Sequence, residues 1–425
     1  MNEKLSLKEW RWLLLIIGLG ILIYGYSLSN GFIWDDDAYI WNNPSITSLS
    51  GLAQIWNWTH ENLFYDYPLT LSAFWLEHKL WGFDSWGYHT LNLTFHILNA
   101  LLLFGLLRKL APAFAGITAL LFTIHPIQVE TVAWASEQKN LFCFFFFLLA
   151  FHSLLDFDAS KRKRDYFRMS LFFMAALLCK SIAACFAALP LLYAWYKDGT
   201  ISKRSLFLAA PLFFLGALSA IPRIQIENLY SGNSELSYFP ENIILAGKLF
   251  FFYIKQILLP WQFMTLYPKW DISIFHAANW ICPLGVIALY TILFRSRHRL
   301  GRGAFALLGF YGITIFPVLG FLKITSMHYS YAADHFSYLS IPALLLLSCT
   351  AGYVLILKIK SNFPERLWKL SPFLKKSILF AFVAYLSLVS FRLTLNYKNP
   401  MTLWAQLLKQ DPESPFACRN LGTIS

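Results

Sequence analysis

Apolar runs recur along the chain from its N-terminus to about residue 391, most of them 15–20 residues long and bounded by Lys/Arg, Pro or polar clusters. A bilayer core of ~30 Å needs roughly 20 apolar residues per helix, about 17 at the short end. The pattern predicts an all-α polytopic membrane protein with about eleven transmembrane helices. They are placed at Trp12–Ser29, Leu91–Leu107, Ala113–Ile124, Asn140–Leu155, Phe167–Leu178, Ile182–Tyr196, Ser205–Ile221, Trp280–Phe294, Ala304–Leu322, Tyr338–Leu357 and Ile378–Phe391. The shorter runs are expected deep in the bundle or facing a cavity. Ile243–Leu259 is apolar but interrupted by Lys248 and Lys255, and reads as an interfacial helix on the outer face.

Composition agrees. Apolar residues make up 57% and charged residues only 14%, against about 25% charged in soluble domains. The formal net charge of +12 would suggest nucleic acid in a soluble protein, but its placement argues otherwise. With the N-terminus cytoplasmic, 23 of the 35 Lys/Arg fall in N-terminal and even-numbered connections. These include Arg108/Lys109, Lys161–Arg164, Lys197/Lys203/Arg204, Arg295–Arg302 and the Lys358–Lys376 stretch, a one-sided distribution that matches the positive-inside pattern. Nucleic-acid binding is set aside. The first apolar run lacks a small-x-small site and reads as an uncleaved helix. Five of the six cysteines lie in or at the ends of apolar spans without a C-x-x-C pair, so neither a disulfide framework nor a zinc site is expected.

The outer loops hold the unusual polar residues. Trp34-Asp35-Asp36-Asp37 follows the first span. Adjacent carboxylates repel one another, and in an extended loop Asp35 and Asp37 would face one way and Asp36 the other. One can serve as a general base; a solvated acidic loop is the alternative. His125-Pro126-Ile127-Gln128-Val129-Glu130 leads to Trp134, Glu137 and Lys139. At helical spacing Glu130, Trp134 and Glu137 would share a face, and Lys139 can hold a lipid phosphate; an interfacial helix with snorkelling ends is the alternative. His89, Asn92 and His96, at i, i+3 and i+7, read as helix-packing residues. Lys180 lies between two closely spaced spans, and Asp334-His335 precedes the tenth; each can meet an anionic head group. After Arg392 the chain changes character. Leu403-Trp404-x-x-Leu407-Leu408 is followed by Asp411-Pro412-Glu413 and Asn420-Leu421-Gly422, which reads like the opening of a tetratricopeptide helix pair.

The segments GFIWDDDAYIWNNP, HPIQVETVAWASEQKN, CKSIAA, ADHFSYL and LWAQLLKQDPESPFACRNLG together resemble the bacterial relatives of the transmembrane-and-tetratricopeptide-repeat O-mannosyltransferases, of the GT-C superfamily. The resemblance implies a GT-C-like membrane domain over 1–392 and a helical outer-face tail over 393–425. It implies an inverting glycosyltransferase on the outer face of the bacterial inner membrane. Such an enzyme moves a sugar from a polyprenyl-phosphate carrier to a protein or glycan hydroxyl, and a repeat region offers a surface for protein partners. The family's acidic motif matches Asp35 and Asp36, with Asp37 an extra carboxylate. By this resemblance Asp35 or Asp36 is the base, and Lys139, Lys180 and His335 bind the donor phosphate, supported by His125, Glu130, Glu137 and Asp334. Family arginines are replaced by Gln138 and His335, and a divalent metal is left open. Two other readings stand beside this one: a transporter or flippase of a lipid-linked precursor, and a non-catalytic anchor presenting a repeat domain.

Overall fold

The computed structural model describes residues 5–57, 67–231, 239–322, 324–362 and 372–424. Lys4, part of the loop after the first apolar run (58–66), part of the Pro222–Asn279 loop (232–238), Lys323 and much of the Lys358–Lys376 stretch (363–371) lie outside the described residues. The described residues form α-helices and short 3-10 or π turns, with no strand among them. In chain order the helices are α1 (Leu7–Tyr24), α2 (Leu49–Ile55), α3 (Pro68–Trp81), α4 (Ser85–Leu110), α5 (Ala115–Ile124), α6 (Val129–Ala133), α7 (Gln138–Ser160), α8 (Lys163–Cys179) and α9 (Leu189–Asp198). They continue with α10 (Lys203–Ser231), α11 (Glu241–Leu258), α12 (Ile281–Leu300), α13 (Gly303–Ile315), α14 (Ile341–Asn362), α15 (Pro372–Thr394), α16 (Pro400–Gln410) and α17 (Pro415–Ile424).

Among the described residues, seven helices are long and apolar enough to cross a membrane, or eight if α5 and the bent segment after it form one span. The protein is a multi-pass helical membrane protein. All eleven sequence-placed spans are largely helical, and four of them are shorter or broken. α5 holds 10 residues, because His125-Pro126 bends the chain by 56°. α8 holds 17 and opens on basic residues. The sixth starts as a 3-10 stretch, Ser181–Ala188, before α9. α13 stops at Ile315, where Pro317 enters a 3-10 turn. α5 is stable at this length because the bundle covers it: nearly every one of its residues is buried, the mark of a helix apolar on all sides.

Buried Leu103, Phe122, Phe144, Phe147, Phe173 and Phe186 centre the core where α4, α5, α7 and α8 meet. The interrupted helix α11 buries one face, including Leu245, Leu249, Phe250 and Tyr253. A Cβ at Gly247 would come within 2.5 Å of the Pro283 nitrogen, so this glycine permits the close approach of α11 to α12. The His89–His96 face is fully buried. Asn92 Nδ2 donates to the Trp134 carbonyl at 2.8 Å, and the His96 ring bridges the Tyr338 hydroxyl (2.9 Å) and the Thr123 carbonyl (3.1 Å). These are packing contacts, as the spacing suggested. All six cysteines are free.

Candidate functional site

The chain leaves α1 through a 3-10 turn and does not remain extended at the acidic triplet. Gly31 N donates to the Lys398 carbonyl at 2.8 Å, tying this loop to the C-terminal region. Trp34 then takes φ 46, a conformation uncommon for a large residue. It is held by a stack on Trp134, ring centroids 5.0 Å apart, and by edge contacts with Trp404 and Phe416 at 5.2 and 5.6 Å. The chain rewinds at once into a π turn, Asp37–Trp41. The three carboxylates are thereby sent to three environments.

Asp36 is fully buried. Its Oδ2 accepts from Ile33 N at 2.9 Å and its Oδ1 from Ser136 N at 2.7 Å. Burial pushes its carboxyl up to about 7, against the pull of those two N–H donors. Both oxygens are engaged in pinning the acidic loop to the segment before α7. Asp37 is exposed. Asp35 lines the cavity described below, and burial raises its carboxyl above the ordinary range while Lys139 pulls the other way. An Asn at position 36 would offer one oxygen and one NH₂ to two backbone donors. Leaving one buried N–H without an acceptor costs about 1–3 kcal/mol. Thermal unfolding in detergent should show Asp36→Asn destabilised by that order; parent-like stability with no activity would instead return the base role to Asp36.

Every residue from 121 to 144 is buried, so the second motif is core and not an interfacial helix. Nor do Glu130, Trp134 and Glu137 share a helical face: α6 ends at Ala133, Trp134 is extended, and Ala135–Glu137 is a 3-10 turn. His125 makes the bend. Its Nδ1 accepts from Ile127 N (3.3 Å), which places the ring proton on Nε2, 3.1 Å from the Ile257 carbonyl on α11.

The break lets two glutamates converge from separate turns on one histidine. His335 N donates to Glu130 Oε2 at 2.9 Å, and His335 Nδ1 stands 3.1 Å from the same oxygen. His335 Nε2 is 4.0 Å from Glu137 Oε1. Glu137 also pairs with Lys139 (2.8 Å) and Lys180 (3.7 Å), and Asn140 Nδ2 donates to it. Lys139 Nζ lies over the Tyr39 ring, 4.5 Å from its centroid. Asp334 turns away from this group. Its Oδ1 accepts from the Tyr267 hydroxyl at 2.9 Å, and burial, with Glu130 nearby, raises its carboxyl well above the usual range.

One cavity of about 650 Å³ brings together Asp35, Glu130, Glu137, Lys139, Lys180 and His335. One part of its wall is aromatic (Trp34, Tyr39, Tyr67, Trp134) and another is apolar (Ile182, Val318, Phe321). Asp36, Asp37, His125 and Asp334 do not line it. Among the described residues no group of three His, Cys, Asp or Glu side chains is arranged to hold a metal ion. The sequence reading missed the Trp34–Trp134 stack, Tyr39 and Asn140. It also missed the tail's approach: Trp404 is buried and Phe416 lies 4.6 Å from Tyr329, a cavity residue. The aromatic bias of the WDDDAY segment was the available signal for these contacts.

The fold and cavity define a multi-pass helical membrane protein with a buried ionic cluster beside a lipid-sized apolar wall. Its sequence is related over about a third of its length to protein O-mannosyl-transferases. It is 32% identical over 162 residues to one from Caenorhabditis elegans, covering 35% of this chain and 24% of that protein. It is 30% identical over 168 residues to human TMTC4, covering 33% and 22%, and 31% identical over 154 residues to human TMTC1, covering 33% and 17%. The alignments thus span less than a quarter of those relatives. No family model matches the chain. A crystal structure of ArnT from Cupriavidus metallidurans bound to undecaprenyl phosphate aligns over 97% of this chain and 75% of that one, at 15% identity and a TM-score of 0.40, a likeness too loose to carry fold or ligand across.

Proposed function

We propose that this protein is a GT-C-type membrane glycosyltransferase that moves a sugar from a polyprenyl-phosphate carrier to an acceptor hydroxyl. The kinship with protein O-mannosyl-transferases supports the reaction class and a protein acceptor. The observation that carries the reading is the single cavity that places the Asp35 carboxylate with Lys139, Lys180 and His335 beside an apolar wall. A lipid phosphate needs cations for its head and an apolar surface for its chain. A hydroxyl nucleophile needs a nearby carboxylate to take its proton.

In the proposed step Asp35 removes the acceptor proton as the hydroxyl oxygen bonds to the anomeric carbon. The carbon–oxygen bond to phosphate breaks, and its electron pair leaves with the phosphate. Lys139, Lys180 and His335 stabilise the charge that develops there. Glu137 pre-positions the three cations, Glu130 orients His335, and Asp36 fixes the loop that carries Asp35. The tail over 393–425 closes on Trp34 and so on the base.

The test is donor affinity. Lys180→Ala, which leaves the Lys139–Glu137 pair in place, should raise the apparent KM for a lipid-phospho-sugar about tenfold, the size of a lost charged hydrogen bond. His335→Arg should lower that KM, because a guanidinium offers a phosphate a fixed charge and a two-pronged donor fork. Unchanged donor KM in both variants would remove the phosphate site from the proposal.

The cavity faces the outer side in this reading, with the N-terminus and basic clusters in the cytoplasm of a bacterial inner membrane. An impermeant thiol reagent added from outside should label a cysteine placed at Asn42 and spare one placed at Arg162; the reverse pattern would overturn the orientation.

A further inference from the structure

We propose that a second, apolar slot, at the opposite end of the bundle from the ionic cavity, holds one acyl chain of an anionic phospholipid with its head group at Lys358. The slot encloses about 650 Å³ among α4, α7, α9, α13 and α14. It starts at Phe144 and Pro342, midway along the bundle, and ends at Leu110, Tyr196 and Lys358. Helix direction fixes which end this is. α4 runs from Asn92, bonded to the Trp134 carbonyl beside the ionic cavity, to Leu110; at 1.5 Å per residue that is roughly 27 Å away. The two cavities are separated by packed rings: Phe144 stands 5.4 Å from Tyr338, and Phe147 5.1 Å from Phe186.

The slot's lining is apolar apart from Tyr193, Tyr196, Thr350 and Lys358. Protein interiors are close-packed, and an apolar volume of this size within a bilayer is filled by hydrocarbon, since water finds few polar partners there.

Charge at the slot's end selects the head group. Most acids nearby already have partners: Glu9 with Arg108, Asp156 with Lys109 and Arg168, and Asp158 with Lys161 and Lys197; the exposed Asp198 at the end of α9 forms no ion pair among the described residues. Lys358 and Arg299 meet no carboxylate among the described residues. Nor does Arg302, whose Nη1 donates to the Trp195 carbonyl at 3.1 Å. A lone anionic head on a long apolar chain satisfies both the slot and these cations. The inference does not depend on the glycosyltransferase reading, because no residue of the ionic cavity takes part.

The purified full-length chain, reconstituted with either phosphatidylglycerol or phosphatidylcholine, is examined by native mass spectrometry and thermal unfolding. Phosphatidylglycerol is expected to stay bound at one per chain and raise the unfolding temperature, while phosphatidylcholine is lost. Lys358→Glu, on an exposed helix end that packing does not need, should cut phosphatidylglycerol occupancy at least about fivefold, the effect of one basic charge near a membrane surface. Ala304→Phe, which fills the slot, should remove the bound lipid. Equal retention of the two lipids by the parent, or full retention of phosphatidylglycerol by Lys358→Glu or by folded Ala304→Phe, would overturn the site.

Discussion

Asp35→Asn is expected to lose about 10²–10⁴-fold in sugar transfer from a lipid donor, the usual contribution of a general base, while eluting and unfolding like the parent protein. The expectation rests on the division of labour within one acidic triplet. Asp36 spends both oxygens on backbone N–H groups, and Asp37 is exposed and outside the ionic cavity. The Asp35 side chain faces that cavity, and its carboxylate, unlike its backbone carbonyl, which accepts from Ala38 N and Tyr39 N, accepts no hydrogen bond among the described residues, so its replacement leaves no buried donor stranded. The pH profile gives a second measurement. A base acts when deprotonated, and burial holds Asp35 above the usual carboxylate value of ~3.9. The acid limb of kcat/KM should therefore rise with pH with a midpoint displaced upward, and should vanish in Asp35→Asn. Near-normal transfer by that variant would remove the base and with it most of the case for an enzyme.

Glu137→Ala is expected to be the most destabilising change in the cavity. Glu137 is buried and meets Lys139 at 2.8 Å, Lys180 at 3.7 Å and His335 at 4.0 Å. Removing one partner of a buried pair leaves an uncompensated charge and costs about 3–5 kcal/mol. The Lys139→Met change in the same background should recover much of that loss, because it withdraws the stranded cation, and a double-mutant cycle measures the coupling. Two additive single effects would mean that Glu137 is not the shared counter-ion of this cluster. In the proposed reaction this pairing would hold Lys139 and Lys180 ready in a low-dielectric site, where charge stabilisation is strongest and no reorganisation is needed as phosphate leaves.

The chain pattern identified the helices, but among the described residues only seven of them, or eight with the bent pair, have the length and apolarity of a full crossing. Apolar length marks where a helix is buried; it does not distinguish a helix covered by lipid from one covered by other helices. α5 is as apolar as any span, yet it has 10 residues and ends at the His125-Pro126 bend. In the same way, helical periodicity placed Glu130 and Glu137 on one face. The extended residue Trp134 broke that periodicity and delivered the two carboxylates to His335 from different turns. The sequence motifs did name most of the cavity's charged residues, since an ionisable side chain in so apolar a chain is costly and usually functional.

By itself the sequence determined that this is a helical, multi-pass membrane protein, because hydrophobic length and the scarcity of charge leave no other solvent for it. It also determined which segments between the apolar runs hold the carboxylates and cations, because those residue types are local facts. The roles within the acidic triplet were decided only by the tertiary structure. Asp36 became an anchor because Ile33 N and Ser136 N, one near and one a hundred residues away, both point at it. Asp35 was left to face Lys139 and His335 because Trp34 is locked at positive φ by Trp134, Trp404 and Phe416. Such assignments depend on contacts between residues distant along the chain, and packing of the whole bundle, which no local pattern encodes, is what brings them together.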